Sequence, residues 1–319
     1  MIKKISVVLL CVFIFSCEKQ SDVEKEIEQI DVAVEVLRFD QEFAEADSSD
    51  LKNLKGKYPY LFPEQFHDSV WVSQMNDPIQ FELDTAVTNA FKDFSKQKDD
   101  LHSLFQHLKY FFPEFKSPTV VTITSEVDYT NKVIVADSLL LISLDTYLGK
   151  GHPFYIGIQD FLKKNFEPSQ LIPDVAEAYA KQLVPKPNAR TFLSSMIYYG
   201  KILYLKDLLI PSNSDAEKIG YTEEEIKWAR ENEEEIWRYF VENEVLFDTN
   251  TDLHRRFLNP GPFSKFYLQL DAESPDRIGW YIGWQIVRKY MEDNDVSTRQ
   301  LLIMDSEHIF NKANYKPAK

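Results

Sequence analysis

Histidines paired with a glutamate on one helix face would be the clearest sign of metal-dependent chemistry in this sequence. The zinc peptidase motif His-Glu-x-x-His puts two imidazoles on the same face and uses the glutamate as a base. The sequence contains no such motif, and no histidine lies between His152 and His254. His102 and His107 are five residues apart, so they do not share a helical face well. We therefore predict no metal site, no cofactor and no catalytic residue.

Asp248, Asn250 and Asp252 alternate in the way that the first ligands of a calcium-binding loop do. The sixth position of such a loop is glycine, but Leu253 stands there, and the closing glutamate at the twelfth position is replaced by Asn259. A capped turn in front of a helix accounts for this pattern better. A calcium site is the alternative.

The chemistry of Cys17 is indicated by the residues in front of it. Lys3 and Lys4 are followed by an apolar run over residues 5–15. That run is shorter than the roughly 20 residues of a membrane-spanning helix, and it suits the apolar core of a signal peptide. Residues 14–17 (IFSC) resemble a bacterial lipobox, in which the cysteine is lipidated and becomes the first mature residue. We predict a signal peptide over 1–16 and a lipid on Cys17; the alternative is an ordinary secretory signal.

Charge and composition limit the possible partners of the mature chain. Residues 17–30 are charged and lack a sustained apolar period, which predicts a flexible lipidated tether. Residues 31–319 contain no repeat or linker, so we expect a single globular domain. The net charge of −15 argues against nucleic acid as a partner. The other cysteine, Cys11, lies within the predicted signal peptide, so cysteine catalysis is excluded.

Hydrophobic periodicity predicts a helix-rich α+β domain with a small β-sheet near residues 119–144. A strand around Val34 is expected to join that sheet. The remaining segments have helical periodicity. The predicted strands cover 119–124, 132–135 and 139–144, and the predicted helices cover 41–54, 81–112 (in two parts), 173–183, 189–206, 222–240, 278–291 and 306–313.

Glycines inside two predicted helices indicate close helix packing. Gly279 and Gly283 are one turn apart, which would let a neighbouring backbone approach. Leucine at position 283 should overpack this contact, whereas alanine should be neutral or favourable. In the 189–206 helix, Gly200 and Lys201 lie off the centre of the apolar stripe, so core packing alone does not explain them.

Three segments and the lipobox carry a resemblance to a known family. The segments are residues 140–149 (LLISLDTYLG), 196–204 (MIYYGKILY) and 279–287 (GWYIGWQIV). Together they resemble the gliding motility lipoprotein GldB family of the Bacteroidota, over essentially the whole mature chain. The resemblance implies a membrane-anchored lipoprotein of the cell envelope that is needed for gliding, in a system tied to type IX secretion. Because the sequence lacks zinc ligands, we expect a non-catalytic component that acts with other gliding-machinery proteins. Residues 18–21 match acidic surface-export signals poorly, which favours a periplasm-facing domain, with the outer membrane preferred.

The C-terminal pattern is also similar to predicted zinc peptidases of zincin-like fold. That similarity implies a zincin-like scaffold with Tyr198 and Lys201 in its cleft, although the zinc-binding histidines are missing here. Two alternative functions therefore stay open. One is a degenerate zincin-like peptidase or envelope hydrolase, and the other is a lipoprotein that binds a periplasmic ligand.

Overall fold

The computed structural model describes residues 22–268 and 271–317. Its strands are β1 (Glu35–Leu37), β2 (Thr119–Ile123), β3 (Val133–Val135) and β4 (Leu139–Ser143). Its α-helices are α1 (Asp22–Glu28), α2 (Phe39–Ala44), α3 (Leu51–Lys57), α4 (Asp68–Met75), α5 (Pro78–Ala90), α6 (Ser95–Phe111), α7 (Asp160–Lys163), α8 (Leu171–Leu183), α9 (Phe192–Leu209), α10 (Asp215–Ile219), α11 (Glu223–Glu231), α12 (Glu233–Glu242), α13 (Asp252–Phe257), α14 (Ile278–Asp293), α15 (Thr298–Ile303) and α16 (Ser306–Ala313).

The four strands form one mixed sheet in the order β1-β2-β4-β3. β1 and β2 run parallel with Val36 opposite Val120, and β2 and β4 run parallel with Val121 opposite Leu141. β3 pairs antiparallel with β4 at one edge. Runs of β-branched residues and leucine explain why these segments pack as strands. The helix-rich α+β class and the small sheet are confirmed, including the strand near Val34 that joins it. The zincin-like arrangement stays a prediction.

Helix α9 lies between the two largest hydrophobic clusters. Ile202 and Leu205 belong to the cluster that covers the sheet together with α6 and α8. Phe192 and Leu203 belong to the second cluster, which α9 forms with α14 and the C-terminal helices. A helix that is apolar on nearly all sides is typical of the interior of a protein. The prediction of a single apolar stripe on this helix is therefore incomplete, because α9 packs against a hydrophobic cluster on each of two sides.

Residues 22–30 are not a flexible tether. Asp22–Glu28 forms α1, and Ile27 is 1% exposed. The Gln106 side chain on α6 donates hydrogen bonds to the carbonyl oxygens of Glu28 (3.0 Å) and Ile30 (2.9 Å). The prediction for 17–30 is wrong over these residues, because one buried isoleucine and two backbone contacts dock a mostly charged helix. Residues 17–21 lie outside the described part of the chain.

Two predicted helices are each divided in the structure. The segment from Thr222 to Phe240 contains α11 and α12, which meet at Asn232, and the side chain of Asn232 donates to the Trp228 carbonyl at 2.9 Å. The segment 41–54 contains the end of α2, a turn and the start of α3. Asparagine and aspartate side chains compete for backbone hydrogen bonds, which is the local reason for such breaks.

Candidate functional site

Tyr198 and Lys201, the two residues expected in a cleft, line the same pocket. Both lie on α9, and the pocket of about 350 Å³ is completed by the Pro185–Ala189 loop and by the segment that joins α15 to α16. Tyr198 packs edge-to-face on Tyr199, with ring centroids 5.1 Å apart. Burial raises the pKa of the Tyr198 hydroxyl above its ordinary value. The structure therefore brings the two predicted residues together.

The ammonium group of Lys201 holds the C-terminus of a neighbouring helix. Lys201 is 5% exposed, and its Nζ donates to the carbonyl oxygens of Leu302 (3.1 Å) and Met304 (2.6 Å) at the end of α15. The last carbonyls of a helix lack intrahelical donors and attract positive charge. Burial lowers the pKa of Lys201 to about 8, and the charge of Asp305 opposes that shift. Lys201 therefore has a clear structural task within the pocket wall.

Gly200 of α9 and Gly283 of α14 lie where these two helices cross, and Gly279 of α14 faces the end of α13. A β-carbon on Gly200 would lie 2.3 Å from the Gly283 carbonyl oxygen, and one on Gly283 would lie 2.0 Å from the Met196 carbonyl oxygen. A β-carbon on Gly279 would lie 2.7 Å from the Leu258 side chain and 3.0 Å from the Phe257 carbonyl oxygen. The close approach predicted from Gly279 and Gly283 is confirmed. It also explains why residue 200 is glycine, since any side chain there would clash with the backbone of α14.

The α9–α14 contact is extended by a charged network. Asp207 accepts hydrogen bonds from Trp284 (2.8 Å) and from Arg288 (2.8 and 2.7 Å). Arg288 also binds Asp215 (3.0 and 2.8 Å), and its guanidinium lies 3.7 Å from the centre of the Trp284 ring. Although burial opposes the shift, hydrogen bonds from Arg288 and Arg230 lower the pKa of Asp215 to about 2. The network joins α9, α10 and α14.

A serine and a histidine far apart in the sequence are brought together between α9 and α13. The Ser195 hydroxyl lies 3.3 Å from His254 Nε2 and 3.4 Å from the Thr191 carbonyl oxygen. A nucleophile and a base at such a distance are two of the parts of a hydrolase site. Among residues 22–268 and 271–317, we find no carboxylate hydrogen-bonded to the other ring nitrogen of His254. Ser195 is only 8% exposed.

Asp248, Asn250 and Asp252 form the capped turn that the sequence favoured over a calcium loop. The Asp248 side chain accepts from the Asn250 backbone (2.9 Å), and the Asn250 side chain accepts from the Asp252 backbone (3.0 Å) at the start of α13. Within the described ranges, no group of three or more histidine, cysteine, aspartate or glutamate side chains is placed to hold a metal ion.

A larger pocket, lined by charged side chains, was missed by sequence reasoning. Four of the residues around it are Lys132, Asp174, Glu177 and Lys206. Asp174 and Glu177 are three residues apart on α8 and so point to one side of that helix. This spacing on α8 is a sequence pattern that could have indicated the pocket. The residues from other elements could not be found in this way.

A second pattern on α8, residues 176–180 (AEAYA), also points to this part of the helix, because it is partly similar to the zinc peptidase motif. It has the glutamate of the His-Glu-x-x-His pattern, but alanine stands at both histidine positions.

Cys17 and the predicted signal peptide lie in the part of the chain that the structure does not describe.

The described residues define a helix-rich α+β domain with a small mixed sheet, and none of their helices is long and apolar enough to span a membrane. The chain belongs to the gliding motility protein GldB family, whose family model matches residues 20–317. This membership makes it a gliding motility lipoprotein located in the cell envelope. No curated protein and no solved structure matches the chain.

Proposed function

We propose that this lipoprotein is a non-catalytic interaction component of the gliding machinery, linked to type IX secretion. A lipid on Cys17 would anchor it, preferably in the outer membrane, with the domain facing the periplasm. The observation that carries the proposal is the family match, which covers residues 20–317 and thus the whole described domain. Each buried methylene of an acyl chain adds about 0.8 kcal/mol to membrane binding, so several chains would make a firm anchor.

The residues of the predicted cleft support a structural role rather than catalysis. The ammonium of Lys201 binds two backbone carbonyls. Ala176 and Ala180 stand where a zinc peptidase motif has histidines, and an alanine side chain has no atom that can bind a metal. The acidic surface, with a net charge of −15 for the chain, favours basic protein partners and disfavours nucleic acid.

Cross-linking in intact gliding cells, followed by identification of the attached proteins, tests the proposal. We expect the tagged wild-type chain to be joined to envelope proteins that are themselves needed for gliding or for type IX secretion. The Cys17→Ser variant at equal abundance should lose these cross-links. A strain without the gene that glides and secretes normally would contradict the proposal, and so would cross-links confined to proteins with no part in either process.

The Ser195–His254 pair favours an envelope hydrolase as the second candidate function. Its oxygen-to-nitrogen distance of 3.3 Å is slightly longer than the roughly 2.6–3.2 Å needed for proton transfer, and such distances often shorten when a substrate binds. A fluorophosphonate probe should label the purified protein at Ser195, and not the Ser195→Ala variant, if the serine is nucleophilic. Metal analysis of the same sample tests the peptidase alternative. A stoichiometric zinc or a Ser195-dependent label would replace the non-catalytic proposal, whereas the absence of both would support it.

A further inference from the structure

A pocket larger than the one at Tyr198 and Lys201 lies elsewhere in the described part of the chain. Its volume is about 530 Å³, which is within the range of small-molecule sites. It is lined by strand β3 and the turn before it, by α8, by Lys206 of α9 and by Arg277. We call it the basic pocket.

The charged residues that line the basic pocket are mostly cationic. They are Lys132, Lys181, Lys206 and Arg277, against the two carboxylates Asp174 and Glu177. Asp276 does not line the pocket but pairs with Arg277 at 3.2 Å, so the lining and this partner together have an excess of one positive charge, although the whole chain has a net charge of −15. Clefts lined by one sign of charge concentrate ions of the other sign. The pocket is thus suited to an anion in an otherwise acidic protein.

Glu177 lies among three of these cations. Its carboxylate is 2.7 Å from Lys181 Nζ and 3.3 Å from Lys206 Nζ. Burial alone would raise the pKa of Glu177, but the charges of Lys181, Lys206 and Arg277 lower it below its ordinary value. Glu177 is therefore ionised at neutral pH. Arg277 is paired with Asp276 at 3.2 Å, which leaves the one carboxylate of Glu177 to balance Lys181 and Lys206.

Lys206 has hydrogen-bonding capacity that the protein does not fill. The residue is 1% exposed, and an ammonium group has three donors. Within the described residues, its hydrogen-bond acceptor is Glu177 Oε2, at the long distance of 3.3 Å. Buried donors are normally satisfied by protein atoms, water or ligands. The remaining N–H donors of Lys206 are therefore free to bind an oxygen atom of a ligand.

The other walls of the pocket are held in place before any ligand arrives. Lys132 binds Asp174 and the Asn165 carbonyl (3.1 Å), and Tyr147 donates to Asp174 at 2.9 Å. Arg277 has a left-handed backbone conformation, with φ of 52°. Its guanidinium donates to the carbonyls of the segment 219–220 at 3.1 and 3.2 Å. Such preorganisation reduces the cost of ordering side chains when a ligand binds.

We propose that the basic pocket binds a small anion, either a carboxylate or a phosphate compound, with one acidic group against the donors of Lys206 that Glu177 leaves free. The ligand would supply the negative charge that the lining lacks and the acceptor that Lys206 lacks. Carboxylate and phosphate oxygens share this chemistry, because both accept charge-assisted hydrogen bonds from ammonium and guanidinium groups. This site goes beyond the proposed function and does not depend on it.

Calorimetric titration of the purified full-length lipoprotein in detergent tests the site. The probes are inorganic phosphate, succinate and citrate, each compared with potassium chloride at the same ionic strength. We expect saturable binding with one site per chain for at least one probe. A lower Kd for phosphate would assign a phosphate ligand, and a lower Kd for succinate or citrate would assign a carboxylate.

Variants locate the binding. Lys181→Gln keeps a hydrogen-bonding side chain at a half-exposed position and should raise Kd at least tenfold, and Lys206→Met should abolish binding. Lys227→Gln, at a lysine whose side chain is 72% exposed and does not line the pocket, is the matched control and should leave Kd unchanged. If Lys206→Met does not fold, Lys181→Gln decides. Absence of saturable binding for all three probes, or an unchanged Kd in Lys181→Gln, would overturn the proposal.

Discussion

Gly200 and Gly283 meet backbone to backbone where α9 crosses α14. A β-carbon on Gly200 would lie 2.3 Å from the Gly283 carbonyl oxygen, which is far inside van der Waals contact. The same crossing puts a β-carbon on Gly283 at 2.0 Å from the Met196 carbonyl oxygen. Backbone atoms cannot rotate away as the end of a side chain can. The separation of these two helices is therefore fixed by the absence of side chains at both positions.

Gly283→Ala should destabilise the protein, because the added methyl group meets the backbone of α9. We expect a loss of about 1–3 kcal/mol or more in the free energy of unfolding, the range of overpacked cores. Denaturant titration measures this loss. The expectation from the sequence, that alanine would be neutral at this position, is wrong for the same reason.

Gly56→Ala is the matched control for the glycine prediction. Gly56 also lies inside a helix, α3, but a β-carbon there would have no atom within 4 Å. Alanine should be more stable than glycine there by up to about 1 kcal/mol through helix propensity. If Gly283→Ala and Gly56→Ala change stability by the same amount and in the same direction, the α9–α14 contact is not as close as described.

The glycine contact shows which features of the fold could be predicted from the sequence and which could not. Spacing within one helix identified Gly279 and Gly283, because i and i+4 lie on one face. It could not show that the partner was α9, since that contact joins residues about 80 positions apart along the chain. The sheet was predictable because its strands are marked by local β-branched runs. The breaks at Asn232 and after Ala44 were missed because the prediction followed apolar periodicity and gave too little weight to the asparagine and aspartate residues that mark them.

The candidate site was predictable only where one helix supplied it. Tyr198 and Lys201 were identified on a single helix, and they do line one pocket. The basic pocket combines α8, α9, β3 and the residue before α14, so no local pattern could reveal it. The burial of Lys201 was also invisible, because its acceptors belong to α15, about 100 residues later.

Lys201→Ala should lower the melting temperature. The change removes two hydrogen bonds to buried carbonyls at the end of α15, so we expect a loss of about 1–3 kcal/mol. The sequence puts Lys201 off the centre of the apolar stripe, but the residue is only 5% exposed, so this is not a surface substitution. Lys227→Ala, at an exposed lysine, is the control and should change stability by less than about 0.5 kcal/mol. Equal melting temperatures for both variants would show that Lys201 does not hold α15.

The pH dependence of stability should also distinguish Lys201. Its pKa is lowered to about 8 in the folded state from the ordinary value of 10.5. Between these values the unfolded state binds more protons, so the contribution of Lys201 to stability rises with pH from about 8 to 10.5. Denaturant titrations across this window should show that rise in the wild type and a smaller rise in Lys201→Met. Parallel curves would mean that the ammonium is not desolvated.

Cys17→Ser should leave the protein without a lipid anchor, because acylation needs the thiol. The precursor should remain unprocessed, or the product should appear in the soluble fraction. Membrane fractionation after a high-salt wash, together with mass measurement of the N-terminal peptide, checks this outcome. Cys11→Ser is the control, since Cys11 lies in the predicted signal peptide and should not affect lipidation. Membrane retention of Cys17→Ser after the wash would show that something other than the lipid holds the protein there.

Asp84→Asn should stabilise the protein at neutral pH. Burial raises the pKa of the Asp84 carboxyl to about 6, and the nearby charges of Asp40 and Asp145 add to the effect. Between pH 3.8 and 6 the folded state holds more protons than the unfolded state, so stability falls as pH rises through this window. At pH 7.5 the ionised Asp84 costs at most about 3 kcal/mol. Asparagine avoids this cost, and the gain should nearly vanish at pH 4.

The hydrogen bonds around Asp84 make asparagine a fair replacement. One oxygen, Oδ1, accepts from both Gln80 Nε2 (2.7 Å) and Thr124 Oγ1 (3.3 Å), and the asparagine carbonyl can keep both bonds. Asp215→Asn is the matched control: although burial opposes the shift, hydrogen bonds from Arg288 to both Asp215 oxygens (3.0 and 2.8 Å) help to lower the pKa of that carboxyl to about 2. An amide there replaces one acceptor with a donor, so the control should lose stability at pH 7.5. Thermal unfolding of both variants at pH 4 and 7.5 tests this prediction. A pH-independent effect of Asp84→Asn would contradict the raised pKa of Asp84.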